Sequence, residues 1–147
     1  LHFHQGDVDH VAIGPGGVVV IETKTSSCDW RFIERHGTHV TWARQAHQGS
    51  ERVRHLIKQH CGVDVTVAAI VVPWIRDQPD EPSLLVEGVV RVRGRSIAEY
   101  LESLPPVLDA DLVTRVGDAL DAVGADFDRA AGVTHDSFVG RVLRLGR

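Results

Sequence analysis

Hydrophobic and polar positions follow two different periods along this chain. Val18, Val19, Val20 and Ile21 form an unbroken β-branched run that leads straight into Glu22 and Lys24. Strand side chains alternate faces, so the carboxylate and the ammonium, two positions apart, emerge together. Upstream, residues 8–13 make a second strand-like stretch, and Gly14, Pro15, Gly16 and Gly17 separate the two with residues suited to a tight reversal. The pattern predicts an antiparallel hairpin with strands over about 8–13 and 17–24. Alternation groups Asp7, Asp9, Val11 and Ile13 on one face of the first strand, and Val18, Val20, Glu22 and Lys24 on one face of the second. Pairing brings the start of the first strand beside the end of the second, and so Asp9 close to Glu22 and Lys24.

A polar connection with Cys28, Trp30 and Phe32 follows, and from about 41 to 60 the period lengthens to that of a helix. Trp42, Ala46, Val53, Leu56 and Ile57 form its apolar stripe, with Gln45, Gln48, Arg52 and His55 beside it. The run 63–72 is largely apolar, ends at Pro73, and reads as a central strand buried on both faces. The helix between hairpin and strand is a crossover. Residues 77–82 read as a surface loop and 85–92 as an edge strand. Ser96 and Glu99 fit a capping box for a helix ending near Leu104, before Pro105 and Pro106. Asp109 suits the N-cap of another helix carrying Leu112, Val113, Val116, Leu120 and Val123. The final ten residues read as an amphipathic turn or a frayed tail.

Composition narrows the picture. The 147 residues, 43% hydrophobic, suit one domain over 1–147, with 107–147 as its helical carboxy-terminal extension. The net charge of -4 announces no nucleic-acid binder, so a polyanion has to be met locally or through a metal. Cys28 and Cys61 make no disulfide framework, and no apolar run reaches the roughly 20 residues of a membrane span. We therefore expect a cytoplasmic protein without a membrane partner. Leu1 comes first and Met is absent, which reads as a fragment. Lys24 and Lys58 are the only lysines, a bias pointing to a GC-rich bacterial genome.

Asp9, Glu22 and Lys24 form a chemically coherent set. Two carboxylates are the hard oxygen ligands that Mg²⁺ or Mn²⁺ takes, its other positions going to water and substrate phosphate. A lysine beside them orients or deprotonates water, or neutralises charge building on phosphorus. The competing reading is a same-face ion pair at a solvated strand end, worth ~0 to 1 kcal/mol. Asp7 reads as a loop carboxylate and His10 as a packing or capping residue. Cys28, His36 and His39, or His55, His60 and Cys61, have none of the recurrent spacings of a structural zinc site.

The stretch from Gly6 to Lys24, with Asp9-His10, the glycine turn and Val-Ile-Glu-Thr-Lys, resembles the nuclease-related domain, the NERD family of the PD-(D/E)XK nuclease superfamily. Residues 43–56, with Gln45 and Gln48, are similar to the glutamine-bearing helix of that family, and after about residue 74 only the order of elements supports the likeness. Thr25 stands where the family tends to have Asn. The resemblance implies an α/β, restriction-endonuclease-like fold: a mixed central sheet whose β-hairpin carries the active site, flanked by helices. It implies metal-dependent phosphodiester hydrolysis of nucleic acid, DNA foremost, with Asp9 and Glu22 binding Mg²⁺ or Mn²⁺ and Lys24 positioning the attacking water. Gln45 would reach the bound phosphate or the metal water, and Arg44, Arg52 and Arg54 are either helix surface or phosphate contacts. It also implies an upstream helix, often bringing another acidic residue, which this chain begins too late to contain. A homodimer would let a lone site cut both strands. Two alternatives stay open: an inactive module of the same fold, binding nucleic acid or a protein as part of a larger protein, and a small-ligand or metal-responsive domain.

Overall fold

A computed structural model describes residues 8–131 and 142–145. Strands β1 (His10–Gly14) and β2 (Gly17–Thr25) form the expected hairpin, with His10 opposite Ile21 and Val11 opposite Val20. Pro15 and Gly16 make the turn, which Gly17 closes at φ +112°, a conformation that favours glycine. The turn is packed from outside. Pro15 O accepts from the amides of Val107 and Leu108, and a Cβ on Gly16 would stand 2.8 Å from Leu104 Cβ.

The polar connection is in fact a short helix, α1 (Trp30–Arg35), capped by the Asp29 side chain on the Phe32 amide. Helix α2 (Thr38–Cys61) begins earlier than its apolar period suggests. It returns the chain to β3 (Val67–Trp74), which pairs in parallel with β2 from Val18–Val67 to Thr25–Trp74. The stripe turned fully to the sheet is Ala43, Ala46, Gly49, Ser50, Val53 and Ile57, while Trp42 and Leu56 are half-buried at its edges. Small residues lie at the contact because the helix crosses the hairpin closely. A Cβ on Gly49 would already touch Val20 and Val8 at 3.4 Å.

Pro73 does not end its strand, contrary to the sequence expectation. It pairs with Lys24 inside β3. Val71 O accepts from Val92 N and so faces away from β2; the backbone two residues on faces the same way. There Pro73 O accepts from Gln78 Nε2 at 2.7 Å instead of from a strand, so the missing N–H breaks no ladder.

The single edge strand expected over 85–92 is broken. Ser83–Leu84 (β4) and Val90–Arg91 (β5) pair antiparallel, and a 3-10 turn at Val86–Gly88, with Glu87 and Gly88 at positive φ, joins them. Ser96 precedes α3 (Ile97–Ser103), but its side chain makes no capping hydrogen bond, so no capping box forms. Asp109 does cap α4 (Ala110–Ala131), its Oδ1 accepting from Leu112 N at 2.8 Å. Of the carboxy-terminal run, Val142–Arg144 is neither a helical turn nor frayed: it forms β6, parallel to β1. Residues 138–141, 146 and 147 of that run, and Asp7, lie outside the described residues.

The sheet order is β4-β5-β3-β2-β1-β6. On one face Val11, Ile13, Val18 and Val20 pack with Val53 and Ile57 of α2 and Val116 and Leu120 of α4. On the other, Ala12, Val19, Ile21, Ile70 and Val72 pack with Leu101 of α3. A mixed sheet with helices on both faces and a hairpin near its middle is the restriction-endonuclease-like architecture implied by the sequence. No helix among the described residues is long and apolar enough to cross a membrane.

Candidate functional site

The hairpin register decides what the alternation of apolar and charged positions left open. Directly opposed residues of an antiparallel pair share a face, so Val11 with Val20 and Ile13 with Val18 point together toward α2. The register ends at His10–Ile21, one residue short of Asp9 and Glu22, where the apolar contact gives out. The charged end of β2 is therefore a continuation of the core face.

Glu22 is only 3% exposed, and Lys24 is the cation beside it: Nζ donates to Glu22 Oε1 at 2.6 Å. The same ammonium donates to Gln45 Oε1, on the overlying helix, at 2.8 Å. Asp9 is held differently. Its Oδ2 accepts from the Thr23 amide at 2.8 Å and from Thr23 Oγ1 at 2.7 Å. The β1–β2 ladder stops at the His10–Ile21 pair, and the Asp9 carboxylate takes up the next free amide. Thr23 is thus the anchor of Asp9, a role that nothing in its sequence position reveals, because it depends on where the ladder ends.

Burial holds the Glu22 carboxyl above its ordinary value near 4.5; the hydrogen bond and charge of Lys24 pull it down, the negative charge of Asp9 pushes it up, and Arg52 pulls it down. Asp9 is held on Thr23, the residue next to Glu22, so both carboxylates belong to the same end of the hairpin. Like charges near one another repel, and a divalent cation would relieve that repulsion. Asp9 spends Oδ2 on Thr23 and Glu22 spends Oε1 on Lys24, so among the described residues each keeps an oxygen for such an ion. The donor set suits Mg²⁺ or Mn²⁺, which binds through one or two carboxylates and keeps several waters. Among the described residues no three His, Cys, Asp or Glu side chains gather as ligands.

The remaining candidates divide. Gln45 turns toward the site, and Arg52 is near enough to act on Glu22. Gln48, Arg44 and His55 are exposed, and Arg54 is committed to Asp64 through Nε–Oδ1 at 2.8 Å and Nη2–Oδ2 at 3.1 Å. His10 packs half-buried, with a buried Nδ1 that receives no hydrogen bond among the described residues.

One buried polar residue escaped the sequence reading altogether. Arg91 of β5 is 0% exposed and lies 5.3 Å from the Trp30 ring centroid. It donates to Ser83 Oγ, Gln78 Oε1 and the carbonyls of Pro79 and Glu81. An arginine amid valines gives no local sign of such burial; it is the post around which the 77–83 loop folds.

No curated protein and no solved structure matches the chain significantly. The family model of the nuclease-related domain matches residues 1–73, which hold the hairpin, α1, α2 and all of β3 but its last residue. The match encloses Asp9, Thr23, Glu22, Lys24 and Gln45, and the segment 1–73 that holds them belongs to the nuclease-related domain family, NERD.

Proposed function

We propose that this nuclease-related chain is a metal-dependent nuclease that hydrolyses phosphodiester bonds in DNA. The observation that carries the reading is the gathering of Glu22 and Gln45 within 2.8 Å of the Lys24 ammonium, with Asp9 hydrogen-bonded to Thr23, the residue between Glu22 and Lys24.

Asp9 and Glu22 would hold Mg²⁺ or Mn²⁺. When bound, the ion supplies Lewis-acid polarisation of a phosphoryl oxygen and lowers the pKa of its water. The chain's own residues do the rest. Thr23 fixes the rotamer of Asp9, and Lys24, oriented by Glu22 and Gln45, presents an ammonium where charge builds on the phosphate. Glu22 adjoins the β2–α2 core, and its burial keeps water off that carboxylate and strengthens its field.

The test is cleavage of plasmid and linear DNA with Mg²⁺ or Mn²⁺ and with EDTA. Wild type should cut only with metal, and Asp9→Asn, Glu22→Gln and Lys24→Ala should each lose roughly 100-fold or more. Cleavage that survives in Lys24→Ala, or in EDTA, refutes the assignment. A second reading, an inactive module of the same fold that binds nucleic acid or a protein, draws support from the net charge of -4. Titration calorimetry separates the two, since a nuclease must bind Mg²⁺ at Asp9 and Glu22 and such a module need not.

A further inference from the structure

The carboxy-terminal ends of β2 and β3 open on a cleft that the catalytic set does not use. Lys24 pairs with Pro73 and Thr25 with Trp74; beyond these pairs Ser26, Trp74, Arg76, Arg93, Gly94 and Arg95 line a cavity of about 400 Å³. Ser26 stands two residues past Lys24, roughly 7 Å of extended chain at about 3.3 Å per residue. The cleft and the candidate site are neighbours at one end of the sheet.

Trp74 is 56% exposed, an uncommon state for so large an apolar surface. Its six-membered ring rests on Gly94, where an added Cβ would stand 2.5 Å from Cη2. The glycine seats the indole without covering it. Around the ring, Arg76 and Arg95 are exposed and Arg93 is half-buried; Arg93 and Arg95 share the single carboxylate of Asp80. In a chain of net charge -4 this is a local reversal of sign.

We propose that the cleft binds a single strand of nucleic acid, one unpaired base stacking on Trp74 and the adjoining phosphates meeting Arg76, Arg93 and Arg95. A duplex base already has its faces covered by neighbours, so a ring held open by its own packing serves an unpaired base. Guanidinium groups match phosphate geometry with paired donors. An acidic peptide would satisfy the arginines and leave the indole without a planar partner. The inference rests on the nuclease reading for its direction: a strand held here leads along the end of β2 to Lys24.

The experiment is fluorescence anisotropy with the full chain in EDTA, using labelled oligo-dT, oligo-U and a duplex of equal length. Single strands should bind more tightly than duplex. Trp74→Ala should weaken single-strand binding by about tenfold or more, and Trp74→Phe should restore most of it. Arg76→Ala and Arg95→Ala should each lower the salt slope by about 0.7, because each removes the partner of one phosphate. Preference for oligo-dT marks the strand as DNA and preference for oligo-U as RNA; either supports the assignment. A folded Trp74→Ala that binds like wild type, a preference for duplex, or equal competition by polyglutamate overturns it. Because EDTA removes hydrolysis, the two readings fail separately: Trp74-dependent binding without cleavage in Mg²⁺ defeats only the nuclease, and cleavage with Trp74-independent binding defeats only the cleft.

Discussion

Gln45 on α2 and Lys24 on β2 meet at 2.8 Å, Oε1 to Nζ, although 21 residues separate them in sequence. The bond ties the helix to the charged end of the strand and leaves the ammonium between two acceptors, Gln45 and Glu22. Gln45 touches Lys24 and neither carboxylate oxygen, so it is a positioning residue for the proposed chemistry.

Gln45→Leu keeps the helix and removes one acceptor from the ammonium. We expect kcat for DNA cleavage to fall about tenfold with KM nearly unchanged, the pattern of an interaction that matters only in the transition state. Stability should fall by about 1 kcal/mol, since the bond removed is charge-assisted and partly hydrated. Steady-state kinetics beside a urea titration read both. A rise in KM with kcat intact would instead make Gln45 a substrate contact.

Glu22 reverses the usual acid behaviour of a carboxylate. Burial raises its folded pKa above the 4.5 of an unfolded chain, so between those two values the folded state holds more protons than the unfolded state. Stability then falls as pH rises through that window, and the loss is complete above the folded pKa. In metal-free buffer, Glu22→Gln should gain on wild type as pH climbs from 4.5. Urea midpoints of the two proteins across the acid-to-neutral range test this; parallel curves would show that the carboxyl is not held high.

Arg91 should matter as much to stability as any apolar core residue. Arg91→Ala opens a cavity and strips partners from Gln78 and from the carbonyls of Pro79 and Glu81. A loss of about 3 kcal/mol or more is expected in chemical denaturation. Arg91→Lys should rescue little, because one ammonium cannot span acceptors set out for a planar fork.

Asp109→Ala removes the side-chain acceptor at the start of α4. The cost should be about 1 kcal/mol, read as a lowered urea midpoint with unchanged m-value, and Asp109→Ser should recover most of it.

The hairpin, its glycine turn, the long helix and the apolar third strand were all legible in order along the chain, because each rests on a period or a turn residue within a few positions. So was the idea that Asp9, Glu22 and Lys24 belong together, since period two puts Glu22 and Lys24 on one face and a tight turn returns Asp9 to them. Elements that depend on distant partners were not legible. Pro73 sits inside a strand because Gln78 replaces a neighbouring strand at its carbonyl, and 85–92 splits because the chain turns at Glu87 and Gly88 to pair with itself.

By itself, then, the sequence determined which residues could share a face, since side-chain alternation is a property of the backbone over three or four bonds. Tertiary structure decided the register that ends at His10 and Ile21, the seat of Asp9 on Thr23, the reach of Gln45 to Lys24 and the burial of Arg91. Those contacts join groups far apart along the chain. Such pairs carry no local periodicity, and only the packing of helix on sheet settles which of them come within hydrogen-bonding distance.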